Sequence, residues 1–202
     1  MWESYIDEIS RCSLCRDHSI LDSGAFPIIQ KTKPRNTELL FVLEAPNYDP
    51  AKGYLTINPD TDPSIEFFNM MYTEVPGCDI QDLFITKSVL CLPKRFASKH
   101  PITTLQRNHC AGNLKHLIDM FNPKIVCTIG FQALKALKII ENNGCNSMSS
   151  AVGKNTEWYG RKLFPLYRTS RLVRLIRSRE EQIEDWHKLN KAIIALKIPL
   201  HH

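Results

Sequence analysis

Four of the seven cysteines carry a first chemical signal. Cys12 and Cys15 form a CxxC, a spacing that lets two thiolates reach one metal from a tight turn. Cys91, in SVLCLP, and Cys110, in QRNHCAG, stand further along the chain. Four thiolates satisfy zinc or a [4Fe–4S] cluster, and spacing alone does not separate the two; the plain alternative is that the CxxC is chance and Cys91 and Cys110 are small buried hydrophobes. Cys78, Cys127 and Cys145 have no partner at ligand spacing, and Cys127 lies inside an apolar run. A second signal is the stretch PLYRTSRLVR, residues 165–174, where an apolar run ends at Tyr167 and Arg168, Arg171 and Arg174 surround Thr169 and Ser170. That composition suits a phosphate clamp, a solvated helix start or a catalytic loop. Lys94, Arg95 and Lys99 add to it, and with Phe96 and Leu172 interleaved the set fits a phosphate-contacting rim with an apolar wedge. Arg177 and Arg179 are expected instead to pair with Glu180, Glu181 and Glu184 on a solvated helix face.

The elements that must position these residues follow from hydrophobic period. Residues 38–43 (ELLFVL), 83–90 (LFITKSVL), 124–129 (KIVCTI) and 162–167 are short apolar runs bounded by turn residues, the pattern of strands buried on both faces. Helical periodicity covers 3–9, 64–72 with Ser64 as N-cap, 103–121, 131–140 after Gly130, and 178–195. Residues 45–63, dense in Pro, Asp, Asn and Gly, read as a long loop, and loops of that length are usually functional. Strands alternating with helices imply right-handed crossovers: an α/β fold of three layers, α/β/α, around a mostly parallel four-stranded sheet. In such sheets the ligand sits beyond the carboxyl ends of the strands, which is where Glu44, Lys87 with Cys91, Gly130 and residues 165–174 fall.

Length and composition bound the rest. The 202 residues suit one domain, residues 1–202, and 43% hydrophobic content is ordinary for a packed core. Lys plus Arg number 26 against 21 Asp plus Glu, a net charge of +5 whose clustering says more than its size. Seven cysteines in an intracellular chain are not expected to form a disulfide framework, because the cytosol keeps thiols reduced and the count is odd. No apolar run reaches the roughly 18 residues of a membrane span, and the acidic, amphipathic N-terminus is unlike a signal peptide, so a soluble cytoplasmic protein is expected. His201 and His202 are read as the remnant of a purification tag.

The order of these features resembles the iron–sulfur class of the uracil-DNA glycosylase superfamily. The carrying residues are the CxxC at Cys12 and Cys15, Glu44-Ala45-Pro46 after the first strand, FITKSVLCLP, a basic Pro-containing loop, Cys110, and PKIVCTIG at residues 123–130. The resemblance runs from about Cys12 to Trp186. It implies a DNA glycosylase that hydrolyses the N-glycosidic bond of uracil or a related modified base, acting as a monomer on single-stranded or duplex DNA. It also implies that Cys12, Cys15, Cys91 and Cys110 hold a structural [4Fe–4S] cluster. Glu44 would activate water, and Ala45, Pro46, Tyr54 and Lys87 would contact the flipped base, with Tyr54 near the position of a stacking aromatic. Arg168 would act at the leaving base, while Lys94, Arg95, Lys99, Ser170, Arg171, Leu172 and Arg174 would meet DNA.

Several positions depart from that family's pattern. Leu43 and Asn47 stand where glycines flank the Glu-Ala-Pro core; Lys87 replaces a base-reading asparagine; Arg168-Thr169 replaces His-Pro. An ammonium only donates, so Lys87 cannot reproduce the two-way contact of an amide. Two rivals follow: a catalytically weak or inactive DNA-binding member of the same superfamily, and a zinc-stabilised α/β protein without a nucleic-acid role. His100 is treated as a loop histidine.

Overall fold

A computed structural model describes residues 2–16, 19–21, 25–30, 32–49, 53–55, 63–74, 84–94 and 101–199, with backbone alone at 47–49, 53–55, 63–66, 73–74 and 171. Its centre is a sheet in the order β4 (Phe84–Lys87), β1 (Leu39–Leu43), β5 (Ile125–Ile129), β7 (Arg161–Leu166), β6 (Thr156–Trp158). The first four strands are mutually parallel; β6 lies antiparallel on the edge beside β7. Five strands therefore replace the expected four. The extra strand, TEW, is a three-residue hairpin arm before the Tyr159–Gly160 turn, too short to announce itself by alternation.

Each central strand presents alternate residues to two cores, because successive side chains point to opposite faces. Leu40, Val42, Phe84, Val126 and Leu163 pack beneath α1 (Trp2–Ser10), α3 (Thr104–Phe121) and α4 (Phe131–Ile140). On the other face, Phe41, Ile85, Cys127 and Phe164 meet α2 (Pro63–Glu74) and α6 (Arg179–Ala195) through Phe68, Met71, Trp186 and Leu189. Phe41 stacks on Trp186 at 5.8 Å between ring centres and meets Phe68 edge-on at 5.5 Å. Three layers result, as expected, with a short helix α5 (Met148–Ala151) added beside β7.

The helix starts are set by side-chain caps. Thr103 and Ser178 each accept from the third helical amide while Gln106 and Glu181 reach back to the cap amides, two reciprocal capping boxes that fix where α3 and α6 begin. Helix α2 begins at Pro63, one residue before the expected start, so Ser64 is not its cap. The long loop after β1 contains a small antiparallel pair, β2 (Asn47–Asp49) with β3 (Gly53–Leu55).

Candidate active site and cysteine cavity

Glu44 is the first residue after β1, and its carboxylate is held on both oxygens. Oε1 accepts from the backbone amide of Gln132 at 3.0 Å, an amide of the first turn of α4 that has no partner within the helix; Oε2 accepts from Arg168 Nη1 at 3.1 Å. Arg168 comes from the segment after β7, so the pair joins the ends of two strands that sandwich β5. The close approach depends on Gly130, the residue between β5 and α4. Its φ of 98° and ψ of 163° belong to a region that only glycine occupies comfortably, and a Cβ there would stand 2.5 Å from Glu44 Oε1 and 2.6 Å from Arg168 Cγ. Gln132 is fixed in turn, since its side-chain oxygen accepts from Arg107 Nη1 at 2.8 Å.

These groups line a cavity of about 500 Å3, within the usual range for a small-ligand site. Glu44, Gly130, Gln132 and Arg168 form its polar side; Phe131, Tyr167, Ile102 and Val173 supply apolar wall. One rim is a 3-10 turn, Arg171–Leu175, on which Leu172 is 74% exposed and Leu175 84%, with Ile176 at 70% just beyond. That turn is anchored from below: Arg177 donates to both oxygens of buried Asp185, at 2.8 and 2.7 Å, which raises the guanidinium pKa further. Glu181, an expected partner, adds a longer bond at 3.2 Å. Arg179 instead lies over the Phe67 ring and donates to the Met70 sulfur.

Lys87 closes β4, in register with Leu43. Burial lowers its ammonium pKa to about 8. The side chain is only partly buried and does not line the 500 Å3 cavity.

A second cavity lies beyond the carboxyl end of β4, apart from the first. Cys12, Cys15, Cys91 and Cys110 all line it, together with His109 and Asn113, and no acidic residue does among the described ones. Cys12 and Cys15 come from the turn after α1, Cys91 from the segment after β4, and Cys110 from α3. Burial pushes the Cys91 thiol up to about 12 and Cys110 to about 11, and the neighbouring cysteines push both in the same direction; burial raises Cys15 as well. His109 Nδ1 is 3.4 Å from Cys15 Sγ. No three His, Cys, Asp or Glu side chains among the described residues are drawn together as a finished metal site. A set of four soft sulfur donors around one cavity nevertheless fits zinc or an iron–sulfur cluster and suits hard cations poorly.

The family model for the uracil DNA glycosylase superfamily matches residues 29–190. The chain belongs to that superfamily. Two relatives are named type-4 uracil-DNA glycosylase: one from Sulfurisphaera tokodaii is 27% identical over 166 residues, covering 79% of this chain and 72% of the relative. The other, from Saccharolobus solfataricus, is 25% identical over 199 residues, 96% of this chain and 87% of the relative. The α/β architecture agrees with that membership, and the activity class is that of a DNA glycosylase, a hydrolase of N-glycosidic bonds. Among the described residues, no helix is long and apolar enough to cross a membrane.

Within this superfamily member, Glu44 and Arg168 come together, as do the four cysteines around their own cavity. Ser170 Oγ is buried without a hydrogen-bond partner among the described residues. Arg174 is exposed with its guanidinium 5.0 Å from the Phe67 ring centre, Leu172 is exposed on the rim, and Lys94 is exposed next to Pro93. Pro46 is buried and Ala45 partly so, and neither lines the cavity of Glu44. Arg95, Lys99 and His100, and the side chains of Tyr54, Asn47 and Arg171, lie outside the described residues. Sequence reasoning missed Gln132, Arg107 and the aromatic lining of Phe131 and Tyr167. The one signal for Gln132 was its place two residues beyond Gly130, in the first turn of a helix.

Proposed function

We propose that this DNA glycosylase removes uracil or a related modified base, with Glu44 as the water-activating carboxylate and Arg168 as the cation at the leaving base. The observation that carries this reading is the clamped carboxylate at the mouth of a cavity beyond the strand ends. In the reaction the C1′–N bond breaks with its electron pair going to the base, and water adds to C1′ while losing a proton to Glu44. A carboxylate also offsets positive charge on the sugar, and a fixed cation offsets negative charge on the departing base. Arg168 is half-exposed, so its guanidinium is free to turn from Glu44 towards a base oxygen or a phosphate. Phe131 and Tyr167 offer aromatic faces to a flipped base, alongside the role expected of Tyr54. Leu172 and Leu175 are the apolar side chains placed to enter a duplex, with Arg174, Arg171, Ser170, Lys94, Arg95 and Lys99 as phosphate contacts.

Cys12, Cys15, Cys91 and Cys110 would hold a [4Fe–4S] cluster, which supplies a cross-link between the N-terminal turn, the β4 end and α3 and takes no part in bond cleavage. The test of function is a base panel: single-stranded and duplex oligonucleotides carrying uracil, hydroxymethyluracil, hypoxanthine or normal bases, treated with alkali after incubation. Excision of one or more modified bases supports the reading. Intact strands together with tight, salt-dependent binding would mark a member that binds DNA without cutting it.

A further inference from the structure

Gln132 lines the cavity of about 500 Å3, and its backbone amide holds Glu44 Oε1 at 3.0 Å, so the residue stands at the carboxylate itself. Its side-chain amide has one fixed orientation. Arg107 Nη1 donates to Gln132 Oε1 at 2.8 Å and to the carbonyl of Ile102, another lining residue, at 3.3 Å. Arg107 Nη2 donates to Thr104 Oγ1 at 2.8 Å, which steadies the guanidinium from the first turn of α3. A guanidinium carries donors only, so the amide must turn its oxygen towards Arg107; the opposite flip would set N–H against N–H and take an acceptor from a half-buried charge. With Oε1 engaged, Nε2 is the free end, and it donates to no acceptor among the described residues. An oriented pair of N–H donors is thereby left on the residue that clamps Glu44. Lys87, where the family pattern has a base-reading amide, does not line this cavity.

We propose that Gln132 determines base specificity at this site: its Nε2 donates to an exocyclic carbonyl oxygen of the flipped base and so selects oxo bases, such as uracil and hypoxanthine, over the amino bases cytosine and adenine. This rests on the glycosylase reading and adds the substrate class to it. Uracil differs from cytosine, and hypoxanthine from adenine, at one exocyclic position, where an oxygen accepts and an amino group donates. An amino group brought against Nε2 sets donor against donor, and both lose the hydrogen bonds that water gave them. Discrimination therefore comes from a penalty on the wrong base as well as a bond to the right one. Arg107 does not touch the base in this arrangement. It is a positioning residue that keeps the Gln132 oxygen out of the cavity, where that oxygen would accept from an amino group and invert the preference.

The test measures preference on bound strands, using the full chain carrying Glu44→Gln so that no strand is cut. Affinities are compared for short single-stranded oligonucleotides bearing one uracil, one cytosine or one tetrahydrofuran, the last having no base to read. Gln132→Leu keeps the backbone amide on residue 44 and removes the donor; it is expected to lower the uracil-to-cytosine affinity ratio about tenfold with tetrahydrofuran affinity unchanged. Gln132→Glu keeps a partner for Arg107 but offers only oxygen to the cavity, and is expected to push the ratio further towards cytosine. Arg107→Leu frees the amide to flip and is expected to lower the ratio as well, while Arg107→Lys, which restores a donor at Oε1, recovers it. A ratio unmoved by Gln132→Leu and Gln132→Glu overturns the proposal. A fall in affinity shared equally by the tetrahydrofuran strand marks a structural role and overturns it too. Because binding is read without cleavage, a shifted ratio in a protein that cuts nothing on the base panel counts against the glycosylase reading alone, and cutting with an unmoved ratio counts against Gln132 alone.

Discussion

Glu44 and the four cysteines line two separate cavities, and the chain treats them differently. The carboxylate has an amide on one oxygen and a guanidinium on the other, and Gln132, which supplies the amide, is itself pinned by Arg107. The thiols share one cavity, where Cys15 Sγ lies 3.4 Å from His109 Nδ1 and Cys110 has a backbone hydrogen bond with Leu90, and burial raises the thiol pKa values to about 12 at Cys91 and about 11 at Cys110. The first site is organised by the protein's own hydrogen bonds before any substrate arrives. The second gathers four sulfur donors in one cavity where burial opposes thiolate charge, a donor set that a bound metal group would complete. Preorganisation by the protein's own hydrogen bonds is thus concentrated where charge must be stabilised during reaction.

The largest expected effect breaks the first site without disturbing its shape. Glu44→Gln keeps an oxygen for the Gln132 amide but removes the charge and the base, and excision is expected to fall about a thousandfold with oligonucleotide affinity unchanged. Rates from single-turnover cleavage measure it, and a variant that still cuts at near-full rate removes Glu44 from the mechanism. At the cysteine cavity, Cys110→Ser is expected to abolish iron and sulfide content along with broad visible absorption, and to lower the melting midpoint by about 5–10 °C. Cys127→Ser, inside β5 and away from the cavity, is expected to keep its iron. Purified protein that is colourless and carries one zinc would keep the four-cysteine site and replace the cluster.

Gly130→Ala should fall between these. The alanine would need a backbone conformation that costs about 1–3 kcal/mol outside glycine, and its methyl would overlap the Glu44 carboxylate and the Arg168 stem. A combined loss of about 3 kcal/mol of stability and a drop in kcat of at least tenfold are expected, read by urea unfolding and by cleavage rate. An unaltered rate would mean that the ion pair is not needed in its observed geometry.

Much of this arrangement was legible in the sequence, and the gaps have physical causes. Runs such as ELLFVL and KIVCTI are buried on both faces, so continuous apolarity marked the parallel strands, and carboxyl-end reasoning then put Glu44, Lys87, Gly130 and Arg168 in one neighbourhood. Strand β6 escaped because three residues carry no period, and the hairpin of β2 and β3 because its Pro, Asp and Gly content reads as loop. The Arg177–Asp185 pair was hidden by a separation of eight residues across the break between the 3-10 turn and α6, where helix-spacing rules point instead to Glu181. Gln132 contributes through its backbone amide, and no side-chain motif can announce that.

The smallest effect concerns Lys87, whose ammonium, like the Cys91 thiol, is shifted by burial towards its neutral form. Its folded pKa of about 8 lies below the roughly 10.4 of an unfolded lysine. Between those values the unfolded chain binds more protons than the folded one, so stability rises with pH; below about 8 both states are protonated and the whole cost of the buried ammonium is present. Lys87→Met removes that titration. The variant is expected to be more stable than the unmodified protein at pH 7, on the order of 2 kcal/mol, with the difference shrinking as pH climbs from 8 towards 10.4. Paired urea unfolding curves at pH 7 and pH 10 measure it. A gap that stays constant would place the ammonium in water-like surroundings; a gap that closes would show that the fold tolerates a destabilising amine at the end of β4.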